Sequence, residues 1–293
     1  MSVAAVVVLY HPSLEVLDAC IKSLYLQVDK IFVVDNSSVA TPLIPCLSAD
    51  NIEYTWLGAN LGIGSAQNAG IRQAIDYGAE FVILSDQDTL YPVQYTSAMV
   101  DAYKSMDASI NVAALAPRFY DKHREVFIPI VSRRSVFKDK ISECSEIQQA
   151  TEVIASGMFI PVKALNIIGL MNETLFIDWV DFEWCWRANL ESYKIFSVTS
   201  VVIMHTLGKG SVSVAGKKYP VHAPIRYYYV VRNGIYSALY NSSLPFPWRI
   251  NIFANVILYS AGYLVLGSPK LATLKYVFKG FWHGVKRRLG SYA

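Results

Sequence analysis

The chain opens on seven consecutive apolar residues, Val3–Leu9, with no polar position among them. A strand with one wet face alternates apolar and polar side chains. A continuous β-branched run is the pattern of a strand covered on both faces. Behind it, after Pro12 and Ser13, Leu14, Leu17, Ile21, Leu24 and Leu26 recur near helical spacing. The alternation then repeats. "KIFVVDNSS" predicts a second buried strand ending at Asp35, residues 52–57 a third, and "FVIL" from Phe81 a fourth. Between the last two, "GANLGIGSAQNAGIRQAIDYG" reads as a glycine-rich turn feeding a helix that stops at Gly78. Strands alternating with helices predict an α/β fold, a parallel sheet between helical layers.

Residues 112–160 are less regular. "NVAALAPRFY", "ASGMFIPV" and "KIFSVTSVVIMH", which ends at His205, predict further strands, and "IDWVDFEWCWRANL" a helix start. "DKHREVF" and "SRRSVFKDK" predict exposed, mobile segments, and the Gly- and Lys-rich "HTLGKGSVSVAGKKYP" a flexible loop. After Pro245 the character changes. "WRINIFANVILYSAGYLVLG" is nearly all apolar but is broken by Arg249, Asn251 and Asn255. Its uninterrupted part, residues 256–266, falls short of the ~20 residues a spanning helix needs. From Lys270 on, Lys275, Lys279, Lys286, Arg287 and Arg288 interleave with Tyr276, Phe278, Phe281 and Trp282, and no acidic residue occurs. That pattern suits the surface of an anionic membrane. It also suits a core helix with one solvated face.

Composition narrows the class. At 293 residues the chain can bury a sizeable core. With 53% hydrophobic and 17% charged residues it is rich in apolar side chains for a water-exposed domain and poor for a polytopic membrane protein. The formal charge of +3 decides little by itself. Cys20, Cys46, Cys144 and Cys185 show no paired spacing, which argues against a C-x-x-C zinc site and suits reduced thiols in a cytoplasmic protein. The apolar start has no basic leader and is read as a buried strand, not a signal peptide.

Ligands of such sheets sit beyond the carboxyl ends of the strands. Asp35 falls there, and so do Asp86 and Asp88 of "LSDQD". A D-x-D triplet is a weak signal, since turns often begin with polar residues. Its chemical use is specific, however: paired carboxylates hold a hard divalent cation, which in turn holds diphosphate oxygens. "DWVDFEW" offers Asp178, Asp181 and Glu183. Asp178 or Asp181 could cap the helix, and one carboxylate could serve as a general base toward an alcohol. "NLGIGSAQNAG" lacks the Lys-Ser/Thr end of a P-loop and the Rossmann glycine spacing. Its glycines could simply permit a tight turn, or Asn60, Gly62 and Asn68 could line a nucleotide pocket.

In order, "VVLYHP", "VVDNSS", "NLGIGSAQNAGI", "LSDQD", "ASGMFI", "FIDWVDFEWCWRA", a strand-end His and "RYYYVVRN" resemble the family 2 inverting glycosyltransferases of GT-A fold. "LSDQD" and "FIDWVDFEW" resemble, more narrowly, bacterial rhamnosyltransferases of O-antigen and related lipopolysaccharide synthesis. The resemblance spans residues 3–233. It implies a mixed, Rossmann-like sheet flanked by helices over residues 1–235; residues 236–293, beyond it, are expected to form a helical, membrane-surface region on the pattern of their basic and aromatic side chains. It implies transfer of L-rhamnose from dTDP-L-rhamnose to a hydroxyl of a polyprenyl-diphosphate-linked glycan, with Mg²⁺ or Mn²⁺ as cofactor. The place of action would be the inner face of the cytoplasmic membrane, with no nucleic-acid partner.

Matched position by position, Tyr10 and Asp35 imply contacts with the nucleotide base. Asp86 implies ribose and metal contacts, Asp88 metal and diphosphate, and His205 a third metal ligand. Asp181 matches the catalytic base, Glu183 and Trp184 the acceptor side, and Arg187 completes that helix signature. Arg226, Tyr228, Arg232 and Asn233 belong to "RYYYVVRN", near the diphosphate. The loop that carries Lys209, Lys217 and Lys218 could fold over the donor or be a solvated surface loop. Two positions depart from the family pattern: Gln87 separates the two aspartates, and Val180 stands where an acid usually precedes the base. Two rivals share the pattern, a transferase using UDP-galactofuranose or a UDP-hexose, and a non-catalytic nucleotide-sugar-binding protein on the same fold.

Overall fold

A computed structural model describes residues 1–121, 125–132, 139–140, 145–205, 211–214, 217–220 and 223–292, with the backbone alone for 139–140, 205, 211–214, 217–220 and 266. In chain order, β1 (Val3–Leu9), α1 (Leu14–Tyr25), β2 (Lys30–Asp35), β3 (Ile52–Trp56), α2 (Ile63–Asp76), β4 (Phe81–Asp86) and α3 (Tyr95–Lys104) form the first half. β5 (Val112–Asp121), β6 (Val126–Phe127), β7 (Val131–Ser132), β8 (Asp139–Lys140), β9 (Ile147–Ala150), β10 (Met158–Pro161) and α4 (Val162–Ile168) follow. Then come α5 (Val180–Leu190), β11 (Lys194–His205), β12 (Ser211–Val214), β13 (Lys217–Pro220), α6 (Pro224–Tyr240), α7 (Phe246–Leu266) and α8 (Lys270–Val285).

The sheet runs β3-β2-β1-β4-β10-β5-β11-β9, with β6 on β5. β3, β2, β1 and β4 are parallel, as the apolar runs predict. The sheet as a whole is mixed rather than parallel. β10 lies antiparallel between β4 and β5, and β9 is antiparallel on β11. The reversal of β10 matters for function: the residues that enter it, 155–157, lie beside the carboxyl end of β4.

Helices cover both faces. One core layer joins alternate residues Val6 and Val8 of β1 to Ile71 of α2 and Trp184 of α5. The other joins Val7 and Leu9 to Leu17, Ile21 and Leu24 of α1 and to Tyr95 and Met99 of α3. Each such side chain, fully buried, contributes roughly 1.5–3 kcal/mol. A third cluster ties Trp186 to Tyr227, Val231 and Ile235 of α6 and to Ile252, Val256 and Val277 of the last two helices.

The C-terminal helices therefore rest on the body of the protein. α8 crosses α6 at glycines: a Cβ on Gly280 would lie 2.6 Å from the Tyr228 carbonyl oxygen, and one on Gly284 2.7 Å from that of Arg232. α6 itself continues through residue 235 to Tyr240, and Tyr228 Oη meets His283 Nδ1 of α8 at 2.8 Å.

The expected loop at "HTLGKGSVSVAGKKYP" contains an antiparallel hairpin, β12 against β13. Lys209 lies outside the described residues, as do 122–124 of "DKHREVF" and 133–138 of "SRRSVFKDK". Cys20, Cys46 and Cys185 are free thiols, and Cys144 lies outside the described residues.

Candidate active site

The apolar run of β4 emerges at the carboxyl edge of the sheet as Asp86, half-buried, and Asp88, exposed. Gln87, the spacer, faces the neighbouring strand. Its Oε1 accepts from the Tyr10 N–H at 2.7 Å and its Nε2 donates to the Tyr10 carbonyl at 3.3 Å. An amide can do both at once, and a carboxylate cannot. The departure at Gln87 thus clasps the end of β1 to the end of β4. Tyr10 is left 51% exposed, its ring edge-on to His11 at 4.6 Å.

Behind Asp86 stands the entry to β10. Ser156 Oγ accepts from the Asp86 N–H at 3.2 Å and meets Thr89 Oγ1 at 2.6 Å. The preceding residue, Ala155, donates its N–H to Asp181 Oδ2 at 3.3 Å. Two consecutive residues therefore hold both carboxylate segments. Asp181 sits in the first turn of α5, and its Oδ1 accepts from the Phe182 N–H at 2.9 Å. Burial pushes its pKa up to about 7 against those two N–H bonds, and the charges of Asp178 and Asp86 add to the rise. A half-buried carboxyl that titrates near neutrality, beside two other acids, is matched to proton transfer.

Asp178 and Arg226 form a bidentate pair, with Nε and Nη2 3.0 and 2.9 Å from Oδ1. Burial works against the Arg226 charge, but Asp178 and then Asp86 more than offset it. The site thus gathers Asp86, Asp178, Asp181 and a cation. Neither Asp178 nor Asp181 caps α5. The cap position is Trp179, in the left-handed region at φ 68°. Phe176 and Asp178 are left-handed too, at 66° and 63°. For such side chains that conformation costs on the order of 1–3 kcal/mol each, so the loop must be held from outside.

What holds it is a set of residues expected in the site itself. Asn233, fully buried, donates from Nδ2 to the carbonyls of Leu175, Ile177 and Asp178 at 2.9, 2.8 and 3.0 Å. Arg232, also fully buried, donates to the Leu175 carbonyl at 2.7 Å, to the Gly290 carbonyl and to Asn233 Oδ1 at 2.8 Å. Gly290 in turn donates its N–H to the Thr174 carbonyl at 2.7 Å. From the other side, Asn68 bonds both the N–H and the carbonyl of Met171, at 2.8 and 2.9 Å, and Glu173 at 2.8 Å. Gly62 meets the same loop. Its φ is +90°, and a Cβ there would lie 2.6 Å from the Phe176 carbonyl oxygen. Asn60 Oδ1 accepts from the Gly62 N–H and from Asn36 Nδ2, both at 3.0 Å.

Asn60 thus bridges Asn36 to Gly62, and the structure places Gly62, Asn68, Arg232 and Asn233 behind the site, holding residues 171–178. It does not bring them to its open side. The same holds for the expected acceptor residues. Trp184 is fully buried, its indole N–H on the Gly169 carbonyl at 2.8 Å. Glu183 accepts from Arg187 Nε at 2.9 Å, while Arg187 reaches the carbonyls of Ile168 and Leu170 at 2.6 and 2.7 Å. Asp35 is fully buried and accepts from Ser37 N, Thr41 N and Tyr54 Oη at 2.9, 2.6 and 2.7 Å. Burial raises its pKa, but the bonds from Ser37, Tyr54 and Thr41 outweigh burial and hold it below the usual carboxylate value. Its oxygens fix the loop after β2. Trp56, at the end of β3 and 45% exposed, was not singled out by sequence reasoning, and neither was Ser156.

His205 ends β11, which runs in the same sense as β5 and β4, so its backbone lies on the edge where Asp86 lies. The neighbouring Met204 bridges Leu90, two residues beyond Asp88. The His205 side chain lies outside the described residues. Among the described residues, no group of three or more His, Cys, Asp and Glu could hold a metal ion. Asp86 and Asp88 supply two hard oxygen donors, which fits a cation completed by ligand oxygens and water.

Residues 5–165 match the family model of glycosyl transferase family 2. The chain is 32% identical over 235 residues to the dTDP-rhamnosyl transferase RfbF of Shigella flexneri, covering 79% of this chain and 78% of that one. Among solved structures, S. aureus TarS 1-349 in complex with UDP-GlcNAc is 18% identical at a TM-score of 0.56, covering 98% of this chain and 82% of that one. GalNAc-T7 with UDP, GalNAc and Mn²⁺ is 13% identical at a TM-score of 0.56, covering 92% of this chain and 58% of that one. Both structural likenesses concern the fold.

Proposed function

The chain belongs to glycosyl transferase family 2, and from that premise we propose that it transfers L-rhamnose from dTDP-L-rhamnose to a sugar hydroxyl of a polyprenyl-diphosphate-linked glycan, inverting the anomeric centre. The product would belong to O-antigen or another cell-surface polysaccharide. The choice of donor is supported by the likeness to a dTDP-rhamnosyl transferase over most of both chains. The observation that carries the chemistry is the pair of carboxylate segments held by Ala155 and Ser156, with Asp181 titrating at about 7.

In this reading Asp181 accepts the proton of the acceptor hydroxyl as that oxygen bonds to the anomeric carbon. The bond from that carbon to the diphosphate oxygen breaks, and dTDP leaves with the electron pair. One in-line displacement turns a β-linked donor into an α-linked product. Arg226, tied to Asp178 beside Asp86, supplies positive charge toward the diphosphate. Tyr10 and Trp56 offer exposed rings at the strand ends for the base. Asp86 and Asp88, with His205 on the same edge, would hold Mg²⁺ or Mn²⁺. When bound, the ion would offset charge growing on the departing diphosphate.

The test is a donor screen read by mass spectrometry, with dTDP-L-rhamnose, UDP-galactofuranose and UDP-hexoses offered against a lipid-linked acceptor. The expected result is a mass gain of one deoxyhexose from dTDP-L-rhamnose alone. Transfer from a UDP-sugar in preference would overturn the donor, and no transfer from any would favour a binding protein.

A further inference from the structure

We propose that the outward faces of α7 and α8 dock the protein on an anionic lipid surface beside the mouth of the catalytic site. Both helices pack on α6, so each has an inner and an outer side. On α7 the outer side is Ile250, Ala254, Ile257, Leu258, Ala261 and Val265, at helical spacing, with Leu258 67% and Val265 70% exposed. No charge interrupts it. On α8, Leu271 is 83%, Phe278 66% and Trp282 55% exposed. Large apolar side chains gathered on two adjacent helices mark an interaction surface.

Charge selects the partner. All 23 acidic residues precede Ser192, and 13 of the 26 basic residues follow it. From α7 onward the chain holds seven basic residues and no acidic one, whereas the charge of Arg226 before it is met by Asp178. Two copies meeting through these faces would bring like charges together. An anionic headgroup layer meets both demands, apolar contact at the acyl boundary and counter-charge at the rim. Among the described residues no helix is long and apolar enough to cross a membrane, and the inner side of α7 is taken up by α6, so α7 lies on the surface.

The docking face adjoins the site. Tyr263, on the inner side of α7, stacks on Tyr227, the neighbour of Arg226, with centroids 4.3 Å apart, and Val256 of α7 shares a cluster with Trp179, the neighbour of Asp178. A lipid-anchored acceptor and the protein would thus share one surface. That consequence rests on the transferase reading, whereas the docking does not.

The experiment is co-sedimentation of the full chain, without any sugar substrate, with vesicles of phosphatidylcholine alone or mixed with phosphatidylglycerol. At low salt, binding to the anionic vesicles should be at least tenfold stronger. It should fall as salt rises but keep a resistant fraction, because apolar contact is not screened. Leu258→Glu and Phe278→Glu should each lower it severalfold and together abolish the resistant fraction, with helicity and melting temperature unchanged. Equal binding to both vesicle types at low salt, binding indifferent to both substitutions, or no vesicle binding would overturn the proposal. A dimer that the two substitutions dissolve would instead make this a self-association face. Failure here leaves the donor screen untouched, so the two readings fall separately.

Discussion

The open side of the site and the scaffold behind it are built from the same residue types and spend them differently. On the open side, Asp88 and Arg226 reach solvent, and among the described residues the Asp181 carboxyl is addressed by two backbone N–H groups. Behind it, Asn68, Arg232 and Asn233 turn their polar atoms to main-chain groups and neighbouring side chains inside the protein. The difference teaches how to read a motif. "FIDWVDFEWCWRA" and "RYYYVVRN" each mix groups suited to reactants with groups that hold a strained loop, and identity alone does not separate them.

The contrast can be broken most sharply at Asp181. Asp181→Asn keeps size and one acceptor oxygen but cannot take a proton, so transfer should fall about 10²–10⁴-fold while donor affinity by calorimetry stays within a factor of two or three. Native turnover would move the base to another acid. Chelation, or Asp88→Ala, should lower transfer by roughly 10²-fold or more, with add-back of Mg²⁺ or Mn²⁺ rescuing only the native protein. Full activity in excess chelator would leave the diphosphate to Arg226 alone.

The scaffold should answer differently. Asn233→Ala leaves the carbonyls of Leu175, Ile177 and Asp178 without their amide donor and should cost about 1–3 kcal/mol of stability by denaturant unfolding. It should lower kcat several-fold with little change in the KM for donor, because it loosens the approach to Asp181. A donor-KM effect alone would place Asn233 on the open side after all.

A smaller effect separates activity from stability at Asp181 itself. Its folded pKa of about 7 lies above the usual carboxylate value. Its contribution to stability is therefore whole below the unfolded pKa and is lost as pH rises through about 7. Asp181→Asn should thus stabilise the protein at pH 8 by about 1–3 kcal/mol and change little at pH 4. Equal melting shifts at both pH values would contradict the raised pKa.

Much of the frame was legible because β1, β2 and β4 are buried on both faces and write that burial as unbroken apolar runs. α1 and α2 follow from spacing. β9, "IQQA", is a four-residue edge strand with two glutamines, and edges carry no such run. The direction of β10 was not legible at all, because "MFIP" looks the same either way. That direction builds the site, since it delivers Ala155 and Ser156 to Asp181 and Asp86. The position of Asp86 and Asp88 at a strand end could be read locally. The work of Arg232 and Asn233 could not, because their partners are carbonyls 57 and 58 residues away, and a carbonyl leaves no mark in a sequence.

The central claim is that Asp181 is the base of the transfer, and the pH dependence of kcat/KM for the acceptor tests it most directly. This profile reports the form of the enzyme that meets the acceptor. The native protein should lose about tenfold in kcat/KM per unit below a break near pH 7, set by the burial of that carboxyl. In Asp181→Asn the small residual rate should show no such break. A native profile flat from pH 5 to 8, or the same break surviving in the variant, would contradict the account.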